Sequence, residues 1–140
     1  MLSNRLRNFY FEAEDSEATL KFYKEGLYIE QKVFEDTHPN VIVTLSNIGE
    51  IHKKTDKHDL AIQVYSRVMS FQRIRHGSCS ARAASSLNDI GLIQDKKDQP
   101  EIAMFYLREA LTTRREVLGE DHLDVAATTS CLGTIFFKKK

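Results

Sequence analysis

Three short segments, TLSNIGEI (44–51), SLNDIGLI (86–93) and TTSCLGTI (128–135), lie 42 residues apart, and each carries a glycine at the same place: Gly49, Gly91 and Gly133. Between residues 44–75 and 86–117 the identical pairs are Leu45/Leu87, Ile48/Ile90, Gly49/Gly91, Ile51/Ile93, Lys54/Lys96, Asp56/Asp98, Ala61/Ala103 and Arg73/Arg115. A fixed period of roughly 20 to 50 residues marks stacked repeats, in which each unit buries its apolar face only against its neighbours. No other feature of the chain restricts the fold as tightly.

Each period reads as two helices. Val41, Leu45, Ile48 and His52 follow one another at helical spacing and share one side of a helix over 39–54. Pro39 suits its first turn, and His38, Ser80 and His122 stand at the cap position of the three copies, Ser80 being a strong N-cap residue. The breaks KTDKHD and KKDQP precede a second helix over 58–74 and 100–116, the latter opened by Pro100. Ala61, Val64, Tyr65, Val68 and Met69, and then Ala103, Tyr106, Leu107, Ala110 and Leu111, form its apolar stripe. One more shift finds the second helix again at 18–34. MLSNRLRNFYFEAE then reads as the tail of a first helix whose Leu6, Phe9 and Tyr10 cover 18–34.

The expectation is an all-α chain: a solenoid of stacked antiparallel helix pairs, about seven helices in three and a half repeats. Residues 1–36 form an incomplete first repeat, 37–78 the second, 79–120 the third, and 121–140 the first helix of a truncated fourth. A glycine inside a helix costs about 1 kcal/mol relative to alanine, so three at one period require a compensating contact. Small residues on the second helix, Ala61 and Ala103, supply one by letting the backbones approach. The expected packing set is Leu45, Ile48, Gly49, Leu87, Ile90, Gly91, Leu132 and Gly133 on first helices, with Ala61, Tyr65, Ala103, Leu107 and Ala110 on second ones.

Twenty basic and twenty acidic residues cancel, so the chain lacks the electrostatic footprint of a nucleic-acid or anionic-membrane binder. Cys79 and Cys131 stand far apart in no CxxC spacing, which gives neither a disulfide framework nor a zinc site. No apolar run is long enough for a signal peptide or membrane span. A cytoplasmic, reduced setting is expected. Of the five histidines, His38, His76 and His122 fall in or beside linkers, His58 begins a helix, and His52 sits on the core stripe. None has a metal-ligand partner at the right spacing, and no phosphate loop or nucleophile elbow occurs. The reading is a non-enzyme without cofactor or metal.

The pattern of small and large residues is similar to the tetratricopeptide repeat in the longer 42-residue form found in kinesin light chains. HPNV (38–41), REVLGEDHLDVA (115–126), Leu45, Ile48, Gly49, Ala61 and Tyr65 carry the resemblance, which spans nearly the whole chain. It implies a right-handed superhelix whose first helices line a concave groove that binds an extended peptide.

Opposite the buried stripe, the helical periodicity places Ser46, Asn47, Glu50, Lys53 and Lys54 in one repeat. The next repeat has Ser85, Asn88, Asp89, Leu92, Asp95 and Lys96 there, and the last has Ser130, Cys131 and Thr134. Short polar side chains suit hydrogen bonding to a peptide backbone, and the charged ones select side chains on the ligand. Kinesin light chains usually carry paired asparagines at this place, a pair kept only in part here, and their heptad coiled coil is absent. The expected partner is a protein or peptide, with no nucleic acid and no membrane. The alternative is an assembly module, or a fragment of a longer array, that associates end to end through Leu132, Ile135 and Phe136.

Overall fold

Six α-helices fill the described part of the chain, a computed structural model covering the backbone of residues 4–139 and the side chains of residues 15–138. They are α1 (Asn4–Val33), α2 (Pro39–Lys54), α3 (His58–His76), α4 (Ala81–Lys96), α5 (Pro100–Leu118) and α6 (Leu123–Lys139). The starts of α2, α4 and α6 recur at the 42-residue period, as do those of α3 and α5.

Local chemistry sets these boundaries. The Ser80 hydroxyl accepts from the backbone N–H groups of Arg82 and Ala83, and the Nδ1 atoms of His38 and His122 accept from the amides of Asn40 and Asp124. Each cap satisfies amide donors that the first turn leaves without carbonyl partners. Asp56 and Asp98 take left-handed backbone angles, φ 58° and 61°, in the tight turns before α3 and α5. Aspartate tolerates that region because its short side chain bonds locally. The expected seventh helix does not form among the described residues: the anticipated tail at the N-terminus and the helix over 18–34 are one continuous helix, α1. Between them lie Asp15, Ser16 and Glu17 and no proline, and the flanking Glu14 and Ala18, with Glu17, favour helix. Leu6, Phe9 and Tyr10, expected to fold back over 18–34, have side chains outside the described residues.

Each helix packs on its sequence neighbours, and α4 also touches α6. The core is therefore a chain of three lumps. Val41, Ile42, Leu45 and Val68 are buried with Leu27 and Phe34 beside them; Ala61, Tyr65, Ile90 and Ile93 follow; Ala103, Met104, Leu107, Leu111, Val125, Leu132 and Ile135 complete it. Burying one large apolar side chain stabilises the fold by roughly 1.5–3 kcal/mol.

The glycines explain how closely the helices approach. A Cβ at Gly91 would stand 2.8 Å from Leu107 Cγ and 3.2 Å from the Ala103 carbonyl oxygen. At Gly49 it would stand 3.1 Å from the Tyr65 ring. Glycine thus opposes a large side chain in both copies, and the small residue is met directly only where the Ala103 backbone comes near Gly91. Gly133 differs: a Cβ there would meet nothing within 4 Å, because no helix covers that side among the described residues.

Candidate functional site

α2 and α4 both pack on α3, and residues of all three helices border a common space. A depression of about 270 Å³ forms there, lined by Ser46, Asn47 and Glu50 of α2, Tyr65 and Gln72 of α3, and Ser85 and Asp89 of α4, among others. A second of about 270 Å³ continues along the same helices toward α6, lined by Lys53, Asp89, Leu92, Asp95 and Lys96 with Lys138. Asp89 belongs to both walls.

Glu50 is held by two side chains. Lys53 Nζ donates to its Oε1 at 3.0 Å and the Tyr65 hydroxyl donates to the same oxygen at 3.1 Å. Burial works to raise the Glu50 pKa, but the hydrogen bond and charge of Lys53, with help from Tyr65 and Lys54, bring it below the ordinary carboxylate value. The Tyr65 hydroxyl is pushed up by burial and then by the negative charges of Asp89 and Glu50, so it stays a proton donor. Asp89 is raised, first by burial and also by Glu50, against the attraction of Lys53 and Arg114. His52 is buried in the core and shifted down by burial and by Lys24 and Lys57, so it stays neutral.

The residues singled out from the sequence separate into groups. Ser46, Asn47, Glu50, Ser85 and Asp89 converge on the first depression, and Lys53, Leu92, Asp95 and Lys96 on the second. Lys54, Ser130 and Thr134 line neither, and the Thr134 hydroxyl donates to the Ser130 carbonyl of its own helix at 3.0 Å. Asn88 turns instead into the α4–α5–α6 junction, where its Oδ1 accepts from Thr128 at 2.8 Å and from Arg114 at 3.4 Å. Cys131, expected on the groove or end surface, is partly buried against the α5–α6 core.

Three residues that sequence reasoning passed over matter here. Gln72 and Arg114 occupy the same register on α3 and α5, at the end of an otherwise apolar stripe, and both are buried. Thr128 is buried as well, and its hydroxyl oxygen accepts from Arg114 at 2.6 Å. The available signal was a polar residue continuing the spacing Ala61, Tyr65, Val68.

A larger open hollow, about 610 Å³, runs along α5 past Met104, Phe105 and Arg108, and Arg108 lies over the Phe136 ring at 5.5 Å. Among the described residues no cluster of acids, histidines and cysteines could hold a metal ion, and no helix is long and apolar enough to cross a membrane.

Residues 1–74 match a family model described as tetratricopeptide repeat, and residues 83–124 match a second of the same description. Curated relatives include the clustered mitochondria protein homologs of Homo sapiens, 22% identical over 81% of this chain, and of Coccidioides immitis (strain RS), 22% identical over 74%. The chain spans only 9% and 8% of their lengths. Among solved structures, BtubC (BKLC) from P. vanneervenii superposes with a TM-score of 0.79 at 20% identity, covering 94% of this chain and 52% of that one. A chain of nearly identical TPR-like repeats from Podosopora anserina, described as a kinesin light chain, gives 0.75 at 14% identity, covering 94% and 63%. At such identities the structural likeness speaks for the fold, an α-solenoid of the kinesin light chain type.

Proposed function

Because the chain belongs to the tetratricopeptide repeat family, we propose that it binds an extended peptide segment of a partner protein along the face shared by α2, α4 and α6. Repeats of this family indicate a protein–protein interaction module, and the family and fold are typically those of non-enzymatic scaffolds. The finer reading takes 37–78, 79–120 and 121–140 as successive units whose first helices form a concave groove. One observation carries it: two depressions follow each other along that face and share Asp89, giving a continuous track and not an isolated dent. On the same reading the chain works in the cytosol, where Cys79 and Cys131 are free thiols.

The test is peptide selection against the full chain, followed by Asn47→Ala and Lys96→Ala. Both positions line the track, and neither side chain is buried. Loss of the selected peptide at an unchanged melting temperature supports the groove; undiminished binding in the double variant refutes it. Asn88→Ala is a poor reporter, since it breaks the bonds to Arg114 and Thr128.

A second reading has its own observation. Phe105, 65% exposed, lines the hollow on α5, and Leu123 and Phe137 of α6 are 84% and 80% exposed; large apolar side chains left open in this way suit contact between chains. Sedimentation at rising concentration checks it: self-association abolished by Phe137→Asp favours assembly, and a monomer throughout removes it.

A further inference from the structure

The first depression has a one-sided chemistry. The Tyr65 hydroxyl and Lys53 Nζ both bond Glu50 Oε1, which fixes that carboxylate at the wall and leaves Oε2 outside both bonds. Asp89 faces it from α4, and the two acids repel. Behind them Gln72 is only 9% exposed, and its Oε1 has no hydrogen-bond partner. The Ser46 hydroxyl gives its proton to the Ile42 carbonyl at 2.9 Å, so what it offers the depression is an acceptor oxygen. The basic side chain in the lining, Arg82, is exposed, and its Nη1 lies 3.3 Å from His76 Nε2.

We propose that the depression between α2, α3 and α4 receives the cationic side chain, lysine or arginine, of a peptide lying on the α2–α4 face. The inference rests on the peptide-binding reading above and specifies what one position of that peptide must be. Acceptors on three helices converge where a donor-bearing cation would satisfy Gln72 Oε1 and relieve the repulsion between Glu50 and Asp89. An acidic ligand side chain would add a third carboxylate to the two present. A neutral amide would satisfy Gln72 but bring no charge to Asp89, for which no hydrogen bond is formed within the depression among the described residues, and charge-assisted hydrogen bonds are about twice as strong as neutral ones. Removing the Asp89 carboxylate should therefore cost binding without costing the fold, since burial already disfavours its charged form.

The experiment titrates the full chain with blocked pentapeptides, four alanines around a central arginine, lysine, glutamine or glutamate, followed by amide and side-chain-amide NMR shifts. The arginine and lysine peptides are expected to move Gln72 and its neighbours Ser46 and Asp89, each binding about tenfold more tightly than the glutamine peptide. Asp89→Asn and, separately, Glu50→Gln should each weaken the cationic peptides by about tenfold while the melting temperature is not lowered in Asp89→Asn. Glutamine or glutamate peptides moving the same resonances as strongly overturn the proposal, and so do cationic peptides whose affinity survives both substitutions. A selected peptide that binds the α2–α4 face without any basic residue overturns this inference alone. Failure of every peptide to bind that face overturns the groove reading as well.

Discussion

At the junction of α4, α5 and α6, Arg114 occupies the register that Gln72 holds at the junction of α2, α3 and α4, and the surrounding pairs correspond in the same way: Asn88 with Ser46, and Thr128 with Ser86. Arg114 is 7% exposed, and its guanidinium donates to Thr128 Oγ1 at 2.6 Å, the Asp124 carbonyl at 3.2 Å, Ser85 Oγ at 3.3 Å and Asn88 Oδ1 at 3.4 Å. Gln72 reaches no such set, and its Oε1 is left without a partner beside a depression of about 270 Å³. Packing period fixes where a junction lies, but the reach and donor count of one side chain decide whether it is a filled polar hub or an open acceptor site.

The strongest way to break the comparison is Arg114→Ala. Charge-assisted bonds are worth roughly 1.5–3 kcal/mol each and do not add, so the expected loss is about 3 kcal/mol in urea unfolding. The equivalent Gln72→Ala should cost clearly less, because an unpartnered acceptor is removed along with the packing. Equal losses would mean that the Arg114 bonds contribute little.

A second contrast uses two glycines one period apart, Gly91 on α4 and Gly133 on α6. Gly91→Ala would force a Cβ to 2.8 Å from Leu107 Cγ and 3.2 Å from a backbone oxygen, and overpacking of this kind costs typically about 1–3 kcal/mol. The gain in helix propensity, about 1 kcal/mol, recovers only part of it. Gly133→Ala meets nothing within 4 Å, so it should stabilise by roughly 0.5–1 kcal/mol. Thermal melts of the pair check the opposite signs. A third change, Gln72→Arg with Ser46→Asn and Ser86→Thr, copies the hub into the open junction. It should raise stability by about 1 kcal/mol, the worth of one net hydrogen bond, and fill the depression.

The period, the helix boundaries and the apolar stripes were legible in the sequence because they rest on spacing: Leu45 and Leu87, or Ala61 and Ala103, are buried wherever a solenoid places them. The number of helices was not, since α1 turns on whether Asp15 and Ser16 break a helix, and their flanking residues favour its continuation. Of the polar positions read from the periodicity only some gather on the track: Asn88 and Asp89 are adjacent in sequence and part company in space, one bonded into the hub and the other lining the track. Periodicity assigns a face to within a residue or so; which neighbour a side chain meets depends on the helix behind it. Gln72 and Arg114 escaped for that reason, because a face-by-face reading of first helices leaves out the wall supplied by second helices.

Asp89 stands between the two junctions, and its titration reports how they differ. Glu50 and Lys53 face it from α2, Tyr65 from α3 and Arg114 from α5. Burial, with Glu50 in support, outweighs the attraction of Lys53 and Arg114 and holds the Asp89 pKa above its value in the unfolded chain. A raised carboxyl pKa favours folding fully below the unfolded value of 3.8 and loses that contribution as pH climbs through the folded value. Asp89→Asn should therefore be more stable than the parent at pH 7, and the advantage should shrink toward zero as pH falls below 3.8. Glu50 runs the other way: its lowered pKa contributes stability above 4.5 that is lost on acidification, but it titrates in both proteins and largely cancels in their difference. Unfolding free energies of the two proteins from pH 7 to pH 3 give the curve, the smallest effect of the set. A flat difference would mean that Arg114 already neutralises Asp89, and the open junction would then be no more acidic than the filled one.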